Sequence, residues 1–367
     1  MAPCCCPKRC VLILDQNASS KTVPAEPQLG TNAFDANSAQ IERDRRALSN
    51  DVEARLSQLG IHRDTPLLLA CSGGRDSIFL TETLRAAGFS ALTLLHLDHG
   101  LRPESAADAE WVQRFGVQHQ LPVVVERIDV ADLAKQNGLG LEEAGREARY
   151  AFFTRTARRL GCSRVLLAHH ADDQVETFLF RLLRGSGANG LRGMAVRSER
   201  HEGDFTLEVL RPILHVWRAE IDRFVSHYHM DFREDSSNTH PRWSRNRIRH
   251  ELMPHLEQVM QRPVRSQIAH AAELLRGEAA FVEAAELALG PLPKQLDVAA
   301  MRALPLALQR RRIHRWLSMH GIPEISFDLV ELVLGLLSNR QPAKRNLPGG
   351  SFVRRRSGVI FVERLGK

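Results

Sequence analysis

The apolar run Pro66-Leu67-Leu68-Leu69-Ala70-Cys71 passes directly into Ser72-Gly73-Gly74-Arg75-Asp76-Ser77, after which Ile78, Phe79, Leu80 and Leu84 recur at helical spacing. A short unbroken apolar run predicts a strand buried on both faces, so the stretch reads as strand, glycine turn and helix. Gly73 and Gly74 permit a tight turn with no side chain over the space ahead of the helix, where unpaired N–H groups and the positive end of the helix dipole collect. An anion fits there, above all a phosphate. A Walker A loop requires G-x-x-x-x-G-K-S/T, and no lysine stands here, which argues against a P-loop kinase or GTPase. Asp76 stands where a carboxylate could hold magnesium beside phosphates. Ser-Gly-Gly alone would be no more than a capped βα turn; the whole hexapeptide behind a buried strand favours the phosphate site.

The remainder of the chain has room for more than one domain. Its 367 residues are 43% hydrophobic, ample for a sizeable core. Lys and Arg total 50 against 43 for Asp and Glu, a net charge of +7, and basic runs cluster after residue 241. Such an excess suggests a polyanionic partner, against the plainer reading of a solvated surface. No apolar run approaches the ~20 residues of a membrane span, and the start, MAPCCCPKRCVLIL, carries too short an apolar stretch for a secretory signal. A cytoplasmic location is expected.

Cysteine usage agrees. Cys4, Cys5, Cys6 and Cys10 crowd the start, leaving Cys71 and Cys162 for the folded part, so a disulfide framework is not supported. The terminal cluster lacks paired C-x-x-C units and reads as an incidental tail rather than a metal site. Residues 1–38 show no periodicity and are expected to be disordered. A helix is expected from Ser38 to Gly60.

From the glycine turn onward strands and helices alternate. Strands are predicted at 91–97, 122–127, 165–168 and 207–214, with helices at 105–119, 141–160 and 172–183. With the strand before Ser72, this is an α/β fold with a doubly wound, mainly parallel five-stranded sheet, in which ligands gather at the carboxyl ends of strands. Two polar segments fall at such ends. One is His96-Leu97-Asp98-His99-Gly100-Leu101-Arg102, where Asp98 and His99 would face the crevice that Asp76 faces. The other is His169-His170-Ala171-Asp172-Asp173-Gln174-Val175-Glu176-Thr177. Acids at a helix start need no further reason than the dipole. Two histidines before two acids also suggest zinc, but no cysteine or third histidine completes a zinc set, and magnesium beside phosphates matches better. Residues 184–190, rich in glycine, read as a mobile loop able to close over a substrate.

The motifs SGGRDS, LDHGLR, LEEAGREARY, AHHADDQVETFLFRLLRGSG, LRPIL and WSRNRIRHELMPHL, in this order, resemble those of the bacterial tRNA(Ile)-lysidine synthetases, members of the PP-loop (N-type) ATP pyrophosphatases. The resemblance extends from about residue 61 to the end. Gly145 departs from the alanine of the family pattern, and the chain ends after one C-terminal module where longer members carry another. The resemblance implies an adenine nucleotide alpha-hydrolase-like sheet, then a smaller, mainly helical domain with a terminal β-hairpin. It also implies a reaction: ATP adenylates the C2 oxygen of the wobble cytidine in a CAU anticodon, and the ε-amine of free L-lysine displaces AMP at C2 to give lysidine.

On that resemblance Ser72, Gly73, Gly74, Arg75, Asp76 and Ser77 hold ATP, with Leu97 backbone receiving the adenine, and Asp76 and Asp173 stand beside magnesium. His169 and Asp173 are the candidates for holding and deprotonating the amine. Arg149, and less firmly Arg146, would meet phosphate or the amino-acid carboxylate; an exposed helix face is the plainer reading of both. Implied partners are tRNA(Ile) with a CAU anticodon and L-lysine; a homodimer is allowed.

Beyond the sheet, helices are expected at 217–229, 263–289, 296–320 and 326–337, with a hairpin at 351–362 turning on Ser357-Gly358. Arg242, Arg245, Arg247, Arg249 and His250 around Trp243, and Lys344, Arg345, Arg354, Arg355 and Arg356, form two basic groups expected to contact tRNA. The domains are then a tail at 1–38, a catalytic domain at 39–262, and a helical linker with a tRNA-binding module at 263–367. Two other readings share the glycine turn. A PP-loop tRNA thiolase would need cysteines to carry sulfur, and a non-catalytic ATP-binding module has little use for the paired acids.

Overall fold

The computed structural model describes residues 31–102, 104–234, 244–338 and 343–364, with side chains from residue 39 onward and, in the third stretch, from residue 245. The four N-terminal cysteines, Arg242, Trp243 and residues 235–241 before them lie outside the described residues. Helix α1 (Thr31–Gln58) begins inside the segment expected to be an unstructured tail, which corrects that boundary.

The first part runs in chain order as β1 (Leu67–Ala70), α2 (Arg75–Ala86), β2 (Leu92–Asp98), α3 (Ser105–Gln118), β3 (Val123–Arg127), α4 (Val130–Asn137), α5 (Leu141–Leu160), β4 (Arg164–Leu166), α6 (Ala171–Leu183), α7 (Ala188–Leu191), β5 (Arg197–Glu202), β6 (Phe205–Leu210) and α8 (Arg218–His227). The sheet order is β3-β2-β1-β4-β6-β5, parallel throughout except that β5 pairs antiparallel with β6. The mainly parallel, doubly wound class therefore holds, with a sixth strand beyond the five expected. The sequence of β5, RSERHE, has no apolar alternation because it is an exposed edge, paired on one side only, with β6. The fifth parallel strand is shorter than expected and stops at Leu210, ahead of Pro212.

Leu67, Leu68 and Leu69 of β1 are each no more than 1% exposed. Full burial of a leucine is worth about 1.5–3 kcal/mol, so this strand anchors the sheet. Leu67 and Leu69 join Ile78, Phe79, Val52 and Phe224 on one face, while Leu68 joins Leu95, Phe152 and Val165 on the other. The alternation is the pleat of the strand. Because β2 lies on one side of β1 and β4 on the other, the connections leave in opposite directions and open a crevice at the carboxyl ends of β1 and β4. The turn before α2 and the His169–Asp173 segment face each other across it.

After α8 come α9 (Ser244–Arg247), a π-helical turn (Ile248–Leu252), α10 (Met253–Met260) and the long α11 (Arg265–Leu287). The last part comprises β7 (Leu296–Asp297), α12 (Val298–Ala303), α13 (Leu306–Met319), α14 (Phe327–Gly335), β8 (Lys344–Leu347), β9 (Ser351–Arg356) and β10 (Val359–Arg364). The helix expected over 296–320 is two helices and a short strand, since Pro305 cannot continue α12. The expected hairpin is present as β9 and β10, turning through Ser357 and Gly358, both at positive φ, within a four-stranded antiparallel sheet β7-β10-β9-β8. Trp316, fully buried, centres this module's own core with Ile313, Leu317, Val333 and Val353.

Candidate active site

Gly73 sits at φ +80°, and a Cβ there would come within 3.2 Å of Val112, so the turn demands glycine twice over. Ser72 Oγ accepts the N–H of Gly74 at 3.2 Å, and Ser77 Oγ donates back to the Gly74 carbonyl at 2.8 Å. No side chain caps the start of α2. The loop is thus folded on itself with its helix N-terminus directed at the crevice, as a phosphate requires. The Arg75 side chain takes no part in that cradle: its guanidinium is 2.6 Å from Asp222 and stacks over Phe232 at 4.6 Å. Only its backbone remains for the phosphate role expected of it.

The acids converge on one histidine. His170, 1% exposed, places Nε2 3.8 Å from Asp76 and 3.6 Å from Asp173, and Nδ1 3.7 Å from Asp172. Asp173 caps α6 by accepting the His170 N–H at 3.0 Å. Arg249 donates to Asp173 at 3.2 Å and to both oxygens of Glu176, at 2.5 and 3.2 Å. Arg218 donates from a single nitrogen to both oxygens of Asp76, at 2.9 Å each, and its backbone N–H donates to Asp172.

These environments separate the carboxyls. Burial raises the pKa of Asp76 above the usual carboxylate value, with His170 and Arg218 opposing. Burial also raises Glu176, against Arg249. At Asp173 burial acts in the same direction but is outweighed by the two imidazoles, the His170 N–H and Arg249, which hold the carboxyl below its usual value. Burial, with Arg211, Arg149 and Arg245 nearby, drives His169 down to about 4, so it is neutral at physiological pH and a weak base. Its Nδ1 is buried without a hydrogen-bond partner.

Arg149 is exposed on α5, and desolvation by its surroundings, with Arg146 and Arg245 nearby, lowers its pKa against the opposing influence of Tyr150. Arg146 stacks over Tyr150 at 5.6 Å. Leu97 packs among apolar side chains near the end of β2, and Asp98 is spent on its own turn, accepting the Gly100 N–H at 2.8 Å. At and just beyond the end of the glycine-rich loop the chain is tied to α6: Arg181 donates to the Gly190 and Gly193 carbonyls at 2.7 and 2.9 Å, and Gln174 bonds both the N–H and C=O of Met194.

The basic groups divide. Arg249 turns inward to the acids and is part of this site rather than of an outward RNA surface. Arg247 is exposed beside Glu251, and Arg245 lies 3.8 Å from Glu142. In the last module Arg355 donates to the Leu336 and Ser338 carbonyls, Arg354 pairs with Glu363 at 3.3 Å, and Arg356 is exposed. Sequence reasoning missed Arg218, whose segment carries no motif. It also passed over Glu176, although its spacing from Asp173 places both on one helix face.

A glycine turn after the central strand, facing acids across the switch point of a doubly wound sheet, defines a PP-loop nucleotide-binding protein. Residues 47–256 match the PP-loop domain family and residues 296–361 the TilS substrate binding domain. The tRNA(Ile)-lysidine synthase of Thermobifida fusca is 35% identical over 323 residues, covering 82% of this chain and 93% of that one. That of Thermosynechococcus vestitus is 34% identical over 297 residues, covering 78% and 83%. The chain belongs to the tRNA(Ile)-lysidine synthase family. Against the Thermus thermophilus enzyme, 37% identical over 304 residues, it matches 81% of its own length but only 56% of the relative's. Among solved structures, the U34-tRNA thiolase NcsA from Methanococcus maripaludis with its 4Fe-4S cluster shares the fold, with a TM-score of 0.51, 13% identity, and coverage of 63% of this chain and 78% of that one. No helix among the described residues is long and apolar enough to cross a membrane.

Proposed function

We propose that this chain converts the wobble cytidine of a CAU-anticodon tRNA(Ile) to lysidine, using ATP and free L-lysine in the cytoplasm. The observation that carries the reading is the acid cluster that spans the crevice: Asp76 of the glycine turn and Asp173 of the opposite wall on one imidazole, with Glu176 beside Asp173 and a guanidinium between those two.

The loop at Ser72–Ser77 binds the ATP phosphates through backbone N–H groups and the α2 dipole. Asp76 and Asp173 offer hard oxygens on opposite walls. Among the described residues no three His, Cys, Asp or Glu side chains could hold a metal by themselves. Two carboxylates plus substrate phosphates are nevertheless the donor set magnesium prefers, so these residues fit it. When bound, the ion neutralises phosphate charge. Cytidine O2 attacks the α-phosphorus and pyrophosphate leaves; the lysine amine then adds at C2 and AMP departs with the oxygen. Asp173, ionised at neutral pH, and Glu176 form a pair that selects a cation, and the substrate ammonium is a cation of that kind. Glu176, with its raised pKa, is better suited than His169 to take the amine proton. Arg149, exposed on α5, suits the lysine carboxylate or a phosphate.

The test is pyrophosphate release by the full chain. It should require both the tRNA and lysine for sustained turnover, and Asp76→Asn and Asp173→Asn should each abolish it while RNA binding persists. Wild-type release in either variant contradicts the assignment.

A further inference from the structure

The glycine-rich segment after α6 is held from two sides. On the catalytic side Gln174, adjacent to Asp173, receives the Met194 N–H at 2.6 Å and donates to the Met194 carbonyl at 2.7 Å. Gly193 lies against the same side chain at φ +69°, where a Cβ would meet Gln174 Oε1 at 2.5 Å. On the other side lies α11. Arg276 donates to the Arg192 carbonyl at 3.1 and 3.0 Å, and the Arg192 guanidinium donates to Glu283 at 3.0 Å.

Glu283 uses its second oxygen elsewhere, pairing with Arg311 of α13 at 3.4 Å. One turn further on, the fully buried Glu286 binds Arg312 at 3.2 Å and also Arg315, so α11 and α13 are locked together at that point. Glu283 thus bridges α13 and the strap directly, beside the indirect link through Glu286 and Arg276 of α11, and it joins the module bearing the TilS substrate binding domain to a strap whose far end is clamped beside Asp173. The side chains of Arg192 and Glu283 are 42% and 38% exposed, and pairs of that kind add little to stability. Their geometry has another use.

We propose that Glu283 is a positioning residue that couples the C-terminal module to the active site, through Arg192, the strap at residues 188–194 and Gln174. The inference concerns how the proposed reaction is organised, but the ion pairs and hydrogen bonds stand whatever the substrate. The module's hold on its partner sets the position of α13, Glu283 transmits that position to the strap, and the strap fixes the start of α6 with Asp173.

The test is Glu283→Gln in the full chain, which keeps size and hydrogen bonding but removes the charge. Amide hydrogen exchange should rise at least about fivefold in residues 188–194 and 171–175, with a melting temperature within about 2 °C of wild type. Turnover of tRNA should fall about tenfold in kcat, with KM for ATP changed less than about twofold. Arg192→Gln and Arg311→Gln should each act similarly, and the double variant should be no worse than either alone, because both act through one carboxylate. Unchanged exchange in both segments, or losses that multiply in the double variant, would overturn the coupling. Wild-type protein that forms no lysidine sinks the proposed reaction instead, and the exchange result still decides the role of Glu283.

Discussion

Arg218 places one guanidinium nitrogen 2.9 Å from each carboxylate oxygen of Asp76, and its Nε 3.0 Å from Asp222, which also binds Arg75. The acid on the glycine turn is therefore steadied by a helix from beyond the sheet. Since Arg218 is one of the charges opposing burial at Asp76, Arg218→Met should raise the Asp76 pKa further and move the acidic limb of pyrophosphate release to higher pH. An unmoved limb would mean that Asp76 does not titrate in that step.

Asp76 and Asp173 should affect stability with opposite signs. The folded pKa of Asp173 is depressed, so its ionised form contributes stability above the unfolded value, and that contribution is lost as pH falls through the folded pKa. The folded pKa of Asp76 is raised, so its contribution is full below the unfolded value and is lost as pH rises through the folded one. Melting curves between about pH 3 and about pH 7 should show Asp173→Asn losing ground to wild type as pH rises, and Asp76→Asn gaining it. Parallel trends in the two variants would refute the separation.

Gly145 lies mid-helix in α5, and a Cβ there would sit at ordinary van der Waals distances, 3.6 Å from Val130 and 3.9 Å from His99. Gly145→Ala should stabilise by about 0.5–1 kcal/mol, a rise of roughly 2 °C in melting temperature, with activity unchanged. A fall in Tm would reveal a close approach that the backbone geometry does not contain.

Much of this was legible in the sequence, for reasons that differ by element. The β1 turn, the capped α6 and the Ser357-Gly358 hairpin are specified by local patterns: an apolar run into glycines, two acids at a helix start, and a turn that needs positive φ. Helix α4 was legible in principle, since Asp129 caps it and Gly138 ends it in the left-handed region, but it is short. Strand β5 was not, because an edge strand written RSERHE is chosen by its neighbour β6. Nor could sequence show which way an arginine points. Arg249 sits in a basic run yet faces acids, Arg355 is spent on carbonyls, and Arg218 reaches Asp76 across 142 positions.

That sorting of arginines changes the test of the RNA surface. Arg355→Glu would strip the Leu336 and Ser338 carbonyls of their donor and perturb the module itself. Arg356 and Lys344 are exposed, and Lys344 rests on the Phe352 ring at 3.7 Å. Arg356→Glu with Lys344→Glu should weaken tRNA binding and reduce its salt slope by ~0.7 to 0.9 for each phosphate no longer neutralised, leaving ATP affinity intact. Unaltered RNA affinity would mark both as solvated surface.

Cysteine chemistry separates lysine transfer from sulfur transfer. Burial raises the Cys71 thiol pKa, and Cys162 is buried with its sulfur 3.2 Å from the Pro66 carbonyl, so neither of these two presents the exposed sulfur that sulfur transfer requires. In protein lacking the first 38 residues, and with them Cys4, Cys5, Cys6 and Cys10, Cys71→Ser with Cys162→Ser should lose some stability and still incorporate labelled lysine into CAU-anticodon tRNA. A double variant that folds and binds ATP and tRNA but modifies nothing would favour the thiolase reading.

The central claim is the identity of the product. Nucleosides digested from CAU-anticodon tRNA(Ile) after incubation with the full chain, ATP, magnesium and isotopically labelled lysine are to be resolved by mass spectrometry. The account predicts cytidine replaced by a nucleoside carrying one labelled lysine in place of the C2 oxygen, with one AMP and one pyrophosphate formed per lysine. A nucleoside carrying sulfur, or unmodified cytidine alongside intact ATP, would contradict it.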